Sequence, residues 1–366
     1  MDLSTLFWSA VASFPKFGSV SLEKLANSLF DPEKIFKANK SALILAGIDE
    51  AKASEFIAFR ATINLTRLEK TIATENIQLI TKNQAEYPTL LKTISQPPFL
   101  LFYQGTPCWQ EVCLAVVGAR KYSHYGQLAV ERLIGETAQA GAVIVSGLAY
   151  GIDTLAHQTT LQNKGKTIAV LGCGINQTTI YPATNRHLAK SIVEHGGMVI
   201  SEFPPFTAPL RHHFPLRNRI ISGLSIATII IEASRKSGSL ITANLALEQG
   251  REVLAVPGSI FTDQSSGTNM LIKQGATPVT SSEDILAALD LSPMNQYSDS
   301  HIALTMPEDL SEEEQTILTI LSQEPLHIDL ISTQVSLPTG QVGSALTLLE
   351  IKSLVRNIGG MQFIRI

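Results

Sequence analysis

Leu114-Ala-Val-Val-Gly-Ala-Arg120 is a short apolar run closed by a glycine turn and an arginine, and the pattern recurs through the middle of the chain. Further apolar runs lie at Ala142–Val145, Thr167–Leu171, Met198–Ser201, Ile226–Ile231 and Val253–Val256, with helical stretches such as Gln127–Ala140 and Leu240–Gln249 between them. Strands without polar alternation are buried on both faces, as in a parallel sheet covered by helices on each side. The expected fold class is therefore α/β. Ligands of such sheets bind outside the carboxyl ends of the strands.

On the N-terminal side, Leu22, Leu25, Ala26 and Leu29 recur at helical spacing, and Gly18 and Gly47 punctuate the segment. Leu45-Ala-Gly-Ile-Asp49 resembles a helix-hairpin-helix turn, which offers backbone N–H groups to phosphate. Asp49 stands where such turns usually carry a second glycine, and its carboxylate repels phosphate. Residues 1–70 thus read as a small helical packing domain. Residues 71–112 read as a connector packing on the core, because Tyr87-Pro88, Pro97-Pro98 and Gly105-Thr-Pro107 break regular structure. A short strand is expected at Phe99–Tyr103. The sheet domain spans 113–290, and a polar linker occupies 291–304. Residues 305–366 open on the capping box Ser311-Glu-Glu-Glu314 and read as three helices and a hairpin, a winged-helix shape.

At 366 residues the chain has room for about two or three domains. An apolar content of 45% and a charged content of 16% suit a buried core, not a disordered chain. The longest apolar runs fall short of the roughly 20 residues that span a bilayer. Met1-Asp2-Leu3 lacks the basic start of a leader. The cysteines, Cys108, Cys113 and Cys173, are odd in number and show no CxxC spacing, as expected of a reducing cytoplasm without a zinc site. Charge is uneven. Residues 113–290 carry 14 basic and 12 acidic side chains, whereas residues 291–366 carry 3 and 9. The third C-terminal helix has no basic residue before Lys352, so duplex reading by this domain is disfavoured and a protein–protein or structural role is expected.

Five small polar turns follow the central strands: Gly118-Ala-Arg120, Ser146-Gly147, Gly172-Cys-Gly174, Ser237-Gly-Ser239 and Ser266-Gly-Thr-Asn269. Turns of this kind that open helices receive anions. With Arg120, Lys121, Arg211, Arg217, Arg219 and Lys236 nearby, they suggest an extended polyanion. The stretch Arg211-His-His-Phe-Pro-Leu-Arg-Asn-Arg219 adds a phenyl ring on which a base stacks. Pro215 marks a helix start. Arg217 and Arg219 then point about 200° apart on that helix, and at least one is expected in an internal salt bridge to Glu202 or Glu232. Neither GxGxxG nor GxxxxGK[ST] is present, which disfavours a dinucleotide cofactor and ATP hydrolysis. Asp153 and His157 lie one helical turn apart without a GxSxG elbow, and read as capping and packing groups. Adjacent His212 and His213 make a poor metal pair.

Taken together, Val116-Val-Gly-Ala-Arg120, Ser146-Gly-Leu-Ala-Tyr-Gly-Ile-Asp153, Phe214-Pro-Leu-Arg-Asn-Arg-Ile-Ile-Ser-Gly223, Lys236-Ser-Gly-Ser-Leu-Ile-Thr242, Val256-Pro-Gly258 and Gly267-Thr-Asn-Met-Leu-Ile272 resemble the DNA-processing protein A family (DprA, also called Smf). The set is specific and runs in the family's order, although each piece alone is not. The resemblance implies an extended Rossmann-like domain that binds single-stranded DNA and dimerises. It also implies a recombination mediator that places the RecA recombinase on incoming strands during natural transformation, without enzymatic activity, in the cytoplasm. Carried over by motif, Arg120, Arg211, Phe214 and the turn Ser237–Ser239 contact the strand. Tyr150 departs from the family's usual arginine. The full candidate set is Gly118, Arg120, Lys121, Ser146, Gly147, Arg211, Phe214, Arg217, Asn218, Lys236, Ser237, Gly238, Ser239, Gly267 and Asn269, with no catalytic residue, metal or cofactor. The alternative is a Rossmann-like enzyme cleaving nucleoside monophosphates. Ser265-Ser-Gly-Thr-Asn269 lacks the proline, glycine and glutamate of that family's turn.

Overall fold

The computed structural model of the protein describes residues 3–291, 310–321, 326–335, 337–352 and 354–365. The chain divides into two compact units, Met1–Ser292 and Pro293–Ile366, each with its own apolar core. Beyond Leu291, the linker expected over 291–304 lies outside the described residues.

A nine-stranded sheet carries the first unit. Its strands are β1 Gln78–Thr81, β2 Leu100–Gly105, β3 Cys113–Val117, β4 Val143–Ser146, β5 Thr167–Leu171, β6 Met198–Ser201, β7 Ala227–Ile230, β8 Glu252–Ala255 and β9 Thr277–Pro278. In space they run β1-β2-β6-β5-β4-β3-β7-β8-β9. All pairs from β6 to β9 are parallel, while β1–β2 and β2–β6 are antiparallel. The α/β fold with a parallel-dominated sheet is thus as expected. From β3 the chain moves outward through β4, β5 and β6, then returns to the opposite side of β3 as β7 and β8. That reversal opens a crevice beyond the carboxyl ends of β3 and β7.

Alternation along each strand feeds two helical layers. Leu114, Val116 and Ile144 pack with Val130, Ile134, Ile152 and Ala156 on one face. Ala115, Val117 and Val145 pack with Ile220, Ile221, Leu240 and Ala243 on the other. This double burial is why the strands read as unbroken apolar runs. The second layer holds the helices His213–Leu224 and Ser239–Glu248, whose first turns reach the crevice.

Residues 71–112 contribute more than a connection, because they supply β1 and β2. Between them, Tyr87 is buried and its hydroxyl donates to the carbonyl of Pro98 at 2.6 Å. Six helices precede β1: Leu3–Ala12, Ser19–Leu29, Pro32–Lys37, Lys40–Leu45, Glu50–Arg60 and Leu65–Thr74. They share one core with the sheet. The Trp8 ring centroid lies 5.4 Å from that of Phe99, and Leu25 and Phe56 join Leu100, Phe102, Leu171 and Val199 in one cluster. The packing therefore shows no break near residue 70. Asp49 caps the helix Glu50–Arg60, its carboxylate accepting from the N–H groups of Ala51 and Lys52 at 3.0 and 3.2 Å. The groups a phosphate would need at that hairpin turn are already occupied.

In the second unit the helices Glu312–Ile320, Ile328–Val335 and Thr339–Ile351 enclose Ile317, Leu318, Ile331, Val342, Leu346 and Phe363. A three-stranded sheet completes it: β10 Leu326–His327, β11 Val355–Gly359 and β12 Gln362–Arg365, in the order β10-β12-β11. The strand β10 is an addition to the expected winged helix. The Ser311/Glu314 capping box forms as expected. Lys352 is bound to Glu314 at 3.0 Å. Among the described residues, no helix is long and apolar enough to cross a membrane.

Candidate nucleic-acid interface

A cavity of about 970 Å³ opens at the crevice. The turn after β3, the first turns of the helices His213–Leu224 and Ser239–Glu248, and the segment around Tyr181 form its walls. Of the expected site residues, Gly118, Arg120, Lys121, Arg211, Phe214, Arg217, Asn218, Ser237, Gly238 and Ser239 line it. Ser146, Gly147, Lys236, Gly267 and Asn269 do not.

Arg120, Lys121 and Arg211 are exposed and form no ion pair among the described residues. They come from two different turns and line one cavity. Asp263 is the exposed carboxylate in the same lining. Gly238 is exposed at the start of the helix Ser239–Glu248, and a Cβ there would meet nothing within 4 Å. A phosphate has room to approach that helix terminus. The Ser237 and Ser239 hydroxyls sit 2.7 Å apart beside it.

Arg217 differs from these cations. It is 4% exposed, and Nη1 donates to the carbonyls of Gly147, at 2.6 Å, and Val170. Burial lowers its pKa to about 10, opposed by the Asp153 carboxylate, so it stays charged at neutral pH. Its expected role as a strand contact is corrected to that of a clamp between the turn after β4 and the end of strand β5. Arg219 pairs with Glu202 at 2.6 Å, both side chains largely buried. Helical spacing predicted at least one of these arginines in an internal salt bridge to Glu202 or Glu232; Arg219 forms it with Glu202, and Arg217 is internal as well.

Four of the five turns engage N–H groups inside the protein. In one, the Ser237 and Ser239 N–H groups donate to Ser234 O and Ser237 Oγ. Those of Gly147 and Ala149 donate to Asp153 Oδ2 at 3.1 and 3.3 Å. Ser146 is buried, with its hydroxyl on the carbonyl of Val116. Gly174 N–H donates to Thr207 O, and no helix starts there. Gly267 N–H donates to Ala233 O, while the Asn269 amide bonds both N–H and carbonyl of Gly258. Ser146, Gly147, Gly267 and Asn269 therefore brace the walls, and the expectation that they receive phosphate is corrected. Asx-type bracing and anion capture share the same residue types, so the sequence does not separate them.

The acids and histidines are likewise engaged. Glu232 is buried and accepts from the Ser123 N–H at 2.9 Å and from its hydroxyl. Burial raises the pKa of Asp153, opposed by Arg217 and by the two N–H donors. His157 is fully buried, and burial foremost, with Arg217 second, lowers its pKa to about 3. Its Nδ1 lies 2.7 Å from Thr167 Oγ1, whose own proton goes to Ile144 O. Nδ1 must therefore carry the proton. His213 stacks on Phe203 with centroids 4.1 Å apart. Among the described residues no cluster of His, Cys, Asp and Glu could hold a metal ion, and all three cysteines are buried.

Phe214 lies over Gly172, where a Cβ would come within 2.9 Å of the ring. Tyr181, which the sequence reading missed, adjoins it with centroids 5.8 Å apart. Its signal was an aromatic shortly after the Gly172-Cys-Gly174 turn.

Fold and site define a class: a Rossmann-like α/β protein with an open basic crevice at the switch point, coupled in sequence to a winged helix. Residues 78–290 match the DNA recombination-mediator protein A family, and residues 304–361 match the DprA winged helix domain. The chain belongs to the DNA recombination-mediator protein A (DprA/Smf) family. It is similar to protein Smf of Escherichia coli, at 39% identity covering 86% of this chain and 84% of that protein. The X-ray structure of DNA processing protein A from Streptococcus pneumoniae superposes with a TM-score of 0.66 at 36% identity, covering 78% of this chain and 98% of that one. DNA processing protein A from Helicobacter pylori, whose structure describes a single-stranded DNA binding mode, matches with a TM-score of 0.52 at 29% identity, over 58% of this chain and 95% of that one.

Proposed function

We propose that the chain is a single-stranded DNA-binding recombination mediator without catalytic chemistry. The observation that carries this reading is the convergence of the unpaired cations Arg120, Lys121 and Arg211 with the Phe214 ring on one open crevice. Arginine forks capture phosphate oxygens, and a base stacks on the ring, which makes binding tolerant of sequence. The family resemblance and the single-strand binding of the Helicobacter pylori relative support it. The same resemblance supports protection of the strand and loading of the RecA recombinase during DNA uptake and homologous recombination, in the cytoplasm, by a homodimer formed through the Rossmann-like domain. Ile260 and Phe261, 84% and 92% exposed, are apolar surface available for such pairing. The winged helix takes a protein partner or a structural role in this scheme, since Lys352 is tied to Glu314. Engagement of Glu232 by Ser123 weighs against nucleotide cleavage, which would need a free acid.

The test is fluorescence anisotropy with single-stranded and duplex oligonucleotides across a range of salt. Single strands bind more tightly, and three phosphate contacts give a log–log salt slope of about −2. Arg120→Ala and Arg211→Ala each flatten the slope by about 0.7. Phe214→Ala weakens binding at an unchanged slope. Equal affinity for duplex, or unaltered binding in all three variants, refutes the assignment.

A further inference from the structure

We propose that Tyr150 and Tyr181 are base-stacking residues that extend Phe214 into a three-ring platform for successive bases of single-stranded DNA. The proposal deepens the strand-binding reading above and rests on it.

Three observations carry the platform. First, the rings form a row: Tyr150 to Tyr181 is 6.5 Å between centroids, and Tyr181 to Phe214 is 5.8 Å. Second, Tyr150 and Tyr181 are 44% and 46% exposed, and neither hydroxyl bonds a described residue. Apolar rings left open beside a basic crevice are available to a ligand with a π face. Third, both rings sit on braced backbone. Gly151 has φ +84°, and a Cβ there would lie 2.2 Å from the carbonyl oxygen of Ala119. Ile152 N–H donates to that same oxygen at 3.1 Å, which fixes the Tyr150 turn against Arg120. Asn185 Nδ2 donates to Leu148 O at 2.9 Å and to Thr154 Oγ1 at 2.8 Å, joining that turn to the segment after Tyr181. Ordering the rings therefore costs little when a strand arrives.

Neighbouring rings meet at 81° and 51°, so no base is sandwiched between two of them. Each ring offers a face to one base of an unstacked strand. Tyr150 carries no charge, so this part of the contact is independent of counterion release.

The test uses the full-length protein and a short oligo-dT, with Tyr150→Ala, Tyr181→Ala and the two Tyr→Phe variants. Each alanine variant is expected to weaken binding by about 5- to 150-fold. The phenylalanine variants keep wild-type affinity, and every variant keeps the wild-type salt slope and melting temperature. Abasic substitution of successive nucleotides lowers wild-type affinity by a similar factor, and the two losses are less than additive where base and ring are partners. Undiminished affinity in both alanine variants, while wild type binds, overturns the platform alone. So does a loss in Tyr→Phe equal to that in Tyr→Ala, which would assign the contact to the hydroxyls. Failure of the wild-type protein to bind the oligonucleotide overturns the strand-binding reading and the platform with it.

Discussion

Substituting Arg217 by alanine should unfold the crevice before it weakens any strand contact. The guanidinium is 4% exposed and ties Gly147 O to Val170 O, so its loss orphans two buried carbonyls. It also leaves the buried Asp153 with the N–H groups of Gly147 and Ala149 and the field of Arg120 to stabilise its charge. Removing one partner of a buried charge pair costs about 3–5 kcal/mol. With an m-value of about 3 kcal/mol/M, the urea midpoint of the first unit should fall by about 1 to 2 M. Arg217→Lys should recover part of this, since an ammonium keeps the charge but lacks the planar fork. Arg211→Ala is the contrasting variant: stability stays within about 0.5 kcal/mol while strand affinity drops. The assays are urea unfolding followed by tryptophan fluorescence, and salt-dependent anisotropy. A loss below about 1 kcal/mol in Arg217→Ala, with a salt slope flattened by about 0.7, would show that Arg217 meets phosphate and that the clamp is wrong.

Three further outcomes are expected. His157 has its folded pKa depressed to about 3, so its contribution is complete above the unfolded pKa of 6.5 and is lost as pH falls toward 3; the stability slope of about 1.4 kcal/mol per pH unit from this group should vanish in His157→Gln, read by urea unfolding between pH 6.5 and 4.5. Gly151→Ala places a methyl 2.2 Å from Ala119 O at φ +84° and should cost more than about 1–3 kcal/mol, with reduced strand affinity as Tyr150 and Arg120 move apart. Glu232→Ala removes the acceptor of the Ser123 N–H and hydroxyl and should lower the unfolding free energy by about 1–3 kcal/mol, read by urea unfolding; no nucleotide-cleaving activity should be lost, checked by chromatography of nucleoside monophosphates.

The parallel strands were legible because each is buried on both faces and lacks polar alternation. The winged helix was legible because the Ser311 capping box and the Gly359-Gly360 turn are local signals. The antiparallel edge was less so. Gln78–Thr81 is four residues long and half exposed, and it is held by pairing with Leu100–Tyr103 rather than by its own pattern. Within the site, Arg120, Arg211 and Phe214 were marked by type and motif, and the structure gathers them around one cavity. What stayed hidden was the bookkeeping of N–H groups. Nothing in Ser146-Gly147 shows that Asp153, six residues on, folds back over the turn. Arg217 and Arg219 sit on one helix, yet their separate acceptors come from β5, the turn after β4, and Glu202, all distant in sequence.

The Gly151 turn separates the path of the backbone from the side chain it presents. Its path is set by Gly151, by Leu148 at φ +55° and by the bond from Ile152 N–H to Ala119 O, none of which involves the side chain at position 150. Position 150 is therefore an interchangeable head on a fixed mount: an arginine there would grip the backbone, and a tyrosine grips the bases, with no change to the fold. The balance between salt-sensitive and salt-tolerant capture of a strand is in this way adjustable by one residue, independently of stability.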